Sequence, residues 1–379
     1  MVEAKHRTMP LLPPRAAGRG GCREKSVKID MKHLFGLVVC CTVGAWVLNA
    51  CTPTDDAMGL LEASEEVIAL QPVLVEQTRV QLFEPGTNNN FYDTDKGGGE
   101  FNVNAYYDGT ELKYISNGRV WYREEDKNWI NLAENGEMTD YYWPNVGALN
   151  FFAYMPKNGY TDKKTYVTVG GYTDANGQQF SCSLPNSNTD YDNMQEFIYA
   201  YTPGEKKKSE KVKLTFVHPF SLVCFQLGSG SIRMTVNSIE LGNIYLNGTF
   251  STGQTSTADN GIGSWSFTGG KETYTATIGK RIPNDVNYNT IFGGPFVMMP
   301  QDLSSVSLTL KYEREEAGAE NATETKIVNS LTTTEIPEWE PGKRYIYTLS
   351  HGDNNEEIYF NVKVVDWDVV DYKNEIDVE

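Results

Sequence analysis

Short segments of alternating polarity recur along most of this chain, and they restrict the fold more than any other feature. Phe101-Asn102-Val103-Asn104-Ala105-Tyr106, Gly118-Arg119-Val120-Trp121-Tyr122 and Leu149-Asn150-Phe151-Phe152-Ala153-Tyr154 are the clearest in the first half. The second half continues with 213–218, 222–225, 232–239, 295–299, 306–312, 344–349 and 357–367. Successive side chains of a strand point to opposite faces, so such runs, bounded by Gly, Asn, Asp and Pro, predict short strands joined by turns. No helix-period run exceeds about two turns. The 22 Tyr, 16 Phe and 34 Gly suit the same architecture. The expectation is an all-β chain of β-sandwiches, and 379 residues are enough for two of them.

The charge balance narrows the partners. With 33 Lys+Arg against 50 Asp+Glu the formal net charge is -17. A surface of that sign repels phosphate, so nucleic acid is not an expected partner. One apolar stretch, LFGLVVCCTVGAWVLNA at 34–50, follows Met31-Lys32-His33 and precedes Cys51. A cationic start, an apolar segment of about 15 residues and a small residue before a cleavage point describe a secretory signal. Leu48-Asn49-Ala50-Cys51 resembles a lipobox, the bacterial signature in which the Cys thiol is acylated and becomes the new N-terminus. Residues 1–50 are read as the signal region and 51–64 as a lipidated tether to the outer membrane. Residues 1–30 hold Pro13-Pro14 and seven Lys or Arg without an apolar segment, so translation is expected to start at Met31.

Beyond the tether, Val67-Ile68-Ala69-Leu70-Gln71-Pro72-Val73-Leu74-Val75 reads as one strand, apolar on both faces. Pro72 marks it as an edge or detachable strand. The charged, turn-prone run TPGEKKKSEK at 202–211 reads as an interdomain linker, dividing a first sandwich at 65–203 from a second at 204–379.

Chemistry-bearing residues are sparse. After residue 50 only His218, expected in a strand, and His351, expected in a turn, remain of the histidines, and neither lies near a nucleophile motif. Two His build no three-His zinc site, and no C-x-x-C, H-E-x-x-H or phosphate-loop spacing occurs. Asp93-Thr94-Asp95-Lys96-Gly97 resembles the start of a calcium loop but has Asn104 where the closing Glu belongs. Cys182 and Cys224 are either a disulfide or, with Cys224 inside an apolar strand pattern, buried free thiols. No catalytic, metal-binding or cofactor-binding residue is assigned. Trp121, Trp129, Tyr141 and Tyr142 are candidates for stacking against a glycan, against the alternative of ordinary packing.

Several segments in order resemble the fimbrillin family of Mfa-like pilus subunits. They are the lipobox at Cys51, Gln77-Thr78-Arg79, Phe101–Tyr106, and Tyr142-Trp143-Pro144 followed by Leu149–Pro156. Leu214–Val223, Phe296–Gln301, Trp339–Tyr345 and Val362–Trp367 continue the series. The resemblance implies two transthyretin-like Greek-key sandwiches in tandem, exported as a surface lipoprotein that is not an enzyme. It also implies assembly with other fimbrial subunits after a protease cuts at Arg79 and removes lipid and first strand together. A strand from the next subunit then fills the groove. The donor expected is the C-terminal segment, where Ile358, Phe360, Val362 and Val364 alternate with polar residues; the competing reading makes it the last strand of the second sandwich. The filament would support adhesion through a glycan or protein receptor. The competing class is a glycan-binding surface lipoprotein, or a fimbrial anchor, that never polymerises.

Overall fold

The computed structural model describes residues 63–74, 99–123, 125–133, 135–155, 166–188, 197–228, 234–259, 261–282, 291–314, 323–351 and 358–366. These form strands β1 (Ala63–Val67), β2 (Leu70–Leu74), β3 (Glu100–Tyr107), β4 (Lys113–Arg123), β5 (Asn128–Leu132), β6 (Tyr142–Pro144) and β7 (Leu149–Met155). They continue with β8 (Val167–Thr173), β9 (Gly177–Ser183), β10 (Ile198–Glu205), β11 (Val212–Val217), β12 (Ser221–Leu227), β13 (Met234–Ile244) and β14 (Asn247–Ser251). The last are β15 (Ser264–Phe267), β16 (Glu272–Ile282), β17 (Ile291–Met298), β18 (Ser307–Arg314), β19 (Thr323–Val328), β20 (Lys343–His351) and β21 (Ile358–Asp366). One 3-10 turn, Thr257–Asp259, interrupts them. The fold is all-β and sandwich-like, and these strands belong to one unit spanning Pro53–Glu379.

A seven-stranded sheet in the order β2-β11-β10-β7-β3-β4-β5 organises the first half. Both of its faces are covered, which is why β7 is buried at every position. Phe101, Val103, Phe151, Ala153, Ile198, Leu214 and Phe216 line one face and enclose the smaller core with Ile68, Leu70 and Trp143. Phe152, Tyr154, Tyr199 and Tyr201 line the other and join the larger core. The sheet curls around the smaller core. Phe101 on β3 meets Phe216 on β11 edge-on at 5.4 Å although β7 and β10 lie between their strands. The curl brings the two outer strands, β2 and β5, alongside each other.

Against the opposite face packs a four-stranded sheet in the order β15-β14-β9-β8. It takes strands from both halves of the chain, with Phe250 opposite Phe180 and Gly248 opposite Cys182. Phe180 and Phe250 join Tyr199, Tyr154 and Phe197 in an aromatic cluster. Two further four-stranded sheets, β17-β12-β20-β21 and β16-β13-β18-β19, contribute the rest of the larger core.

Four expectations need correction. Residues 202–211 are not a linker. Thr202–Glu205 end β10, and the lysine run lies in the hairpin joining β10 to β11, hydrogen-bonded neighbours in one sheet. A boundary at 203 and 204 would part those neighbours; the passage between sheets falls at His218–Phe220, between β11 and β12. His218 lies there, 3% exposed, just beyond β11 rather than within a strand. The strand expected at Val67–Val75 is two strands, because the chain leaves β6 and joins β11 at Ile68–Ala69. His351 closes β20 rather than opening a turn. Cys182 and Cys224 are both buried free thiols on separate sheets.

Candidate functional site: a strand seated in a seam

The seam between β11 and β5 holds β2, the second strand of the first described segment, 63–74. β2 runs parallel to β11, with Leu70 opposite Val212 and Leu74 opposite Phe216. A parallel pair is slightly less stable per residue than an antiparallel one, and Pro72, opposite Leu214, suits a strand paired on one side only. Packing offsets that weakness. Ile68 is 0% exposed and Leu70 2%, and Pro72 is buried with them. Each apolar side chain so buried contributes roughly 1.5–3 kcal/mol.

Upstream, β1 pairs antiparallel with β6, setting Ala63 opposite Pro144 and Val67 opposite Tyr142. The switch between β6 and β11 falls at two residues between the strands, and three separate groups meet three of their main-chain polar atoms. The Ile68 N–H donates to the Tyr141 carbonyl at 2.6 Å, and the Val212 N–H donates to the Ala69 carbonyl at 2.8 Å. The Asn131 side-chain amide, from β5, donates to the Ile68 carbonyl at 3.1 Å. One end of the seam is bridged directly, where Lys211 Nζ donates to Asn128 Oδ1 at 2.8 Å. Towards the other end of β4, Tyr114 donates its hydroxyl to the Tyr142 carbonyl at 2.6 Å. Burial pushes the Tyr114 and Tyr141 hydroxyls above their ordinary pKa.

The C-terminal segment is the outer strand of another sheet. β21 pairs antiparallel with β20 without a register break, from His351 opposite Ile358 to Lys343 opposite Asp366. An ion pair at 2.6 Å between Lys343 and Asp366 ties its far end. Phe360 and Val362 pack against the larger core, whereas Val364 is 38% exposed. The one-sided apolar face expected over Ile358, Phe360, Val362 and Val364 is therefore seated at its middle and fades towards Val364.

Of the other residues singled out, Cys51, Arg79 and the loop at Asp93–Gly97 lie outside the described residues. Trp129 packs between Phe101 at 5.3 Å and Tyr122 at 5.2 Å. Tyr141 packs against the smaller core, and Trp121 is half-buried on β4. Only Tyr142 of these four is exposed, at 39%. Asn131 and Ile68 were not legible as a pair. The sole hint is an Asn within the strand Asn128-Trp129-Ile130-Asn131-Leu132, a residue type that strands disfavour.

The fold and the seam together define an all-β protein whose first described segment pairs with β6 through β1 and with the edge of β11 through β2. The family model described as fimbrillin-like matches residues 78–367, and the chain belongs to that family. Among solved structures it is similar to a fimbrial protein from Bacteroides vulgatus, with a TM-score of 0.52 and 15% identity over 79% of this chain and 99% of that one. A candidate cell adhesion protein from Bacteroides uniformis gives a TM-score of 0.48 at 15% identity, again over 79% and 99% of the two chains. Another from Bacteroides ovatus gives 0.44 at 14%, over 80% and 98%. At these identities the likeness is one of fold. No curated protein sequence matches the chain.

Proposed function

We propose that this chain is a stalk or tip subunit of a surface fimbria, displayed as a lipoprotein on Cys51 and released for assembly by cleavage at Arg79. The observation that carries the reading is the seat of β2. Removing residues 63–74 would uncover the β11 edge and the apolar places of Ile68, Leu70 and Pro72. An open edge beside an apolar groove attracts another strand. A second subunit's strand supplies main-chain hydrogen bonds and alternate apolar side chains there. The segment around Ile358, Phe360, Val362 and Val364 is the donor in this reading, because as an outer strand it leaves its own sheet by breaking one ladder only. Two sandwich domains with their junction at His218–Phe220 complete the proposed organisation. Partners are other fimbrial subunits and a glycan or protein receptor met at the cell surface. The family and the fimbrial protein of like fold support this direction.

Intact-mass spectra of the protein taken from its native outer surface test it. A mass that begins after Arg79 without lipid is the expected result. A mass that begins at acylated Cys51 overturns processing and makes the chain an anchor or a non-polymerising glycan-binding lipoprotein.

A further inference from the structure

β10 and β11 form a hairpin whose arms part before they reach their own turn. They are in register at Tyr199–Val217 and Ala200–Phe216, and there the ladder stops. Continued, that register would set Tyr201 opposite Thr215 and, beyond it, Pro203 opposite Lys213. Pro203 has no N–H to offer the Lys213 carbonyl, which accepts the Thr202 hydroxyl at 2.9 Å instead. At Tyr201 and Thr215 the cause is different. Thr257, in the 3-10 turn between β14 and β15, places its hydroxyl between the two strands. It accepts the Tyr201 N–H at 3.2 Å and donates to the Thr215 carbonyl at 2.5 Å. A hydroxyl suits the place because one atom both accepts and donates. Two bonds in series through an oxygen replace one direct bond, so the strands stand further apart than a ladder would hold them.

Thr257 is 0% exposed, and its loop is tied to β10 on both sides. The Gly263 N–H donates to the Tyr199 hydroxyl at 3.0 Å, and the Tyr201 hydroxyl donates to Gln254 Oε1 at 2.9 Å. Beyond the parting, Thr202 and Glu205 stay paired with β7, whereas Val212–Phe216 carry β2 on their outer edge. The sheet changes course here, and the change brings Phe216 round to Phe101.

We propose that Thr257 is a positioning residue for the seam: a wedge, carried on a loop from the second half of the chain, that holds β11 away from β10 and so fixes the edge on which β2 is seated. The wedge acts in the uncut chain, whatever later becomes of the segment.

Hydrogen exchange on the full chain, followed over a series of low urea concentrations, tests it. The reporter is the Val212 amide, which is bonded to the Ala69 carbonyl and is freed when β2 leaves its seat. Thr257→Val keeps nearly the same shape and removes the hydroxyl. In that variant the Val212 amide is expected to exchange about tenfold faster, the equivalent of one hydrogen bond, through a local opening that urea scarcely promotes. Thr257→Ser keeps the hydroxyl and is expected to match the parent. A merely structural role would lower the urea midpoint of Thr257→Val and leave the local opening at Val212 as it was, and that result overturns the proposal. It is also overturned if the faster exchange at Val212 rises with urea as steeply as that of the Ile239 amide, on β13 in another sheet, because both amides then report global unfolding. A Thr257→Ser rate as fast as that of Thr257→Val overturns the hydroxyl wedge. If Thr257→Val does not fold, Gln254→Ala at the exposed rim of the same loop takes its place. It removes the bond to Tyr201, and the Val212 amide is expected to exchange about threefold faster by the local route. An unchanged rate there overturns the proposal.

Discussion

Phe101 and Phe216 meet edge to face at 5.4 Å across the hollow of a sheet in which two other strands separate them. That contact exists only because the sheet curls, and the curl is what turns two distant edges into the walls of one seam. Aromatic pairs of this geometry add about 0.5–1.5 kcal/mol beyond their burial.

Phe216→Ala is therefore expected to destabilise the chain by about 3–5 kcal/mol, the range for emptying a buried aromatic site. Ile327→Ala, on the outer strand β19 where Ile327 is 57% exposed, is expected to change stability by no more than about 0.5 kcal/mol. Urea unfolding of both variants makes the comparison. Equal losses would contradict the curled core.

Leu70→Asp places a carboxylate where the native side chain is 2% exposed. Burying it unpaired is costly, so the segment is expected to leave the seam rather than accept the charge. Limited proteolysis should then cut residues 63–74 well before the rest of the chain. Simultaneous digestion of the whole chain would show that the segment is not a separable insert.

Gly177 has φ of 69°, and a Cβ there would stand 2.5 Å from the Gly253 carbonyl oxygen and closer still to Thr252 Oγ1. Gly177→Ala must move the β8–β9 hairpin away from the end of β14, its partner from the other half of the chain. A loss of about 1–3 kcal/mol is expected, from the strained conformation and the clash together. Thermal unfolding of the variant measures it, and an unchanged midpoint would contradict this approach.

Alkaline pH should unfold the protein through its tyrosines. Burial first, then the neighbouring Tyr172 and Tyr154, push Tyr106 up to about 12. Burial likewise raises Tyr345 to about 12 and carries Tyr199, Tyr274 and Tyr347 upward. A hydroxyl whose pKa is higher in the folded chain favours folding fully below its unfolded value of about 10 and loses that contribution as pH rises towards the folded value. Stability is thus expected to be flat to about pH 9 and to fall between about 10 and 12. Tyrosinate absorbance followed with circular dichroism checks this. Titration of all the tyrosines near pH 10 with the fold intact would refute it.

Both thiols should be silent while the chain is folded. Burial raises Cys182 and Cys224, the latter in spite of the opposing charge and hydrogen bond of Arg344. Ellman's reagent is expected to react with them only after denaturation. Fast labelling of the native chain would refute the burial of both.

What could be read directly from the residues is local. Period-two patterns located β3, β4, β7, β11 and β20, but the cover on both faces of β7 emerged only from the fold. Gly342, which follows Pro341 in the turn before β20, adopts φ of 70°. Pro72 marked an edge. Alternation tells which face of a strand is buried but carries no label for its neighbour, so the tertiary structure alone decided the pairings. It set β2 parallel to β11 across more than a hundred residues and joined β9 to β14 across both halves of the chain. It also turned a charged run that reads as a linker into a hairpin. The break at Ile68–Ala69 was hidden for the same reason. Nothing in an apolar run says where it must change partners until β6, β5 and β11 are folded around it.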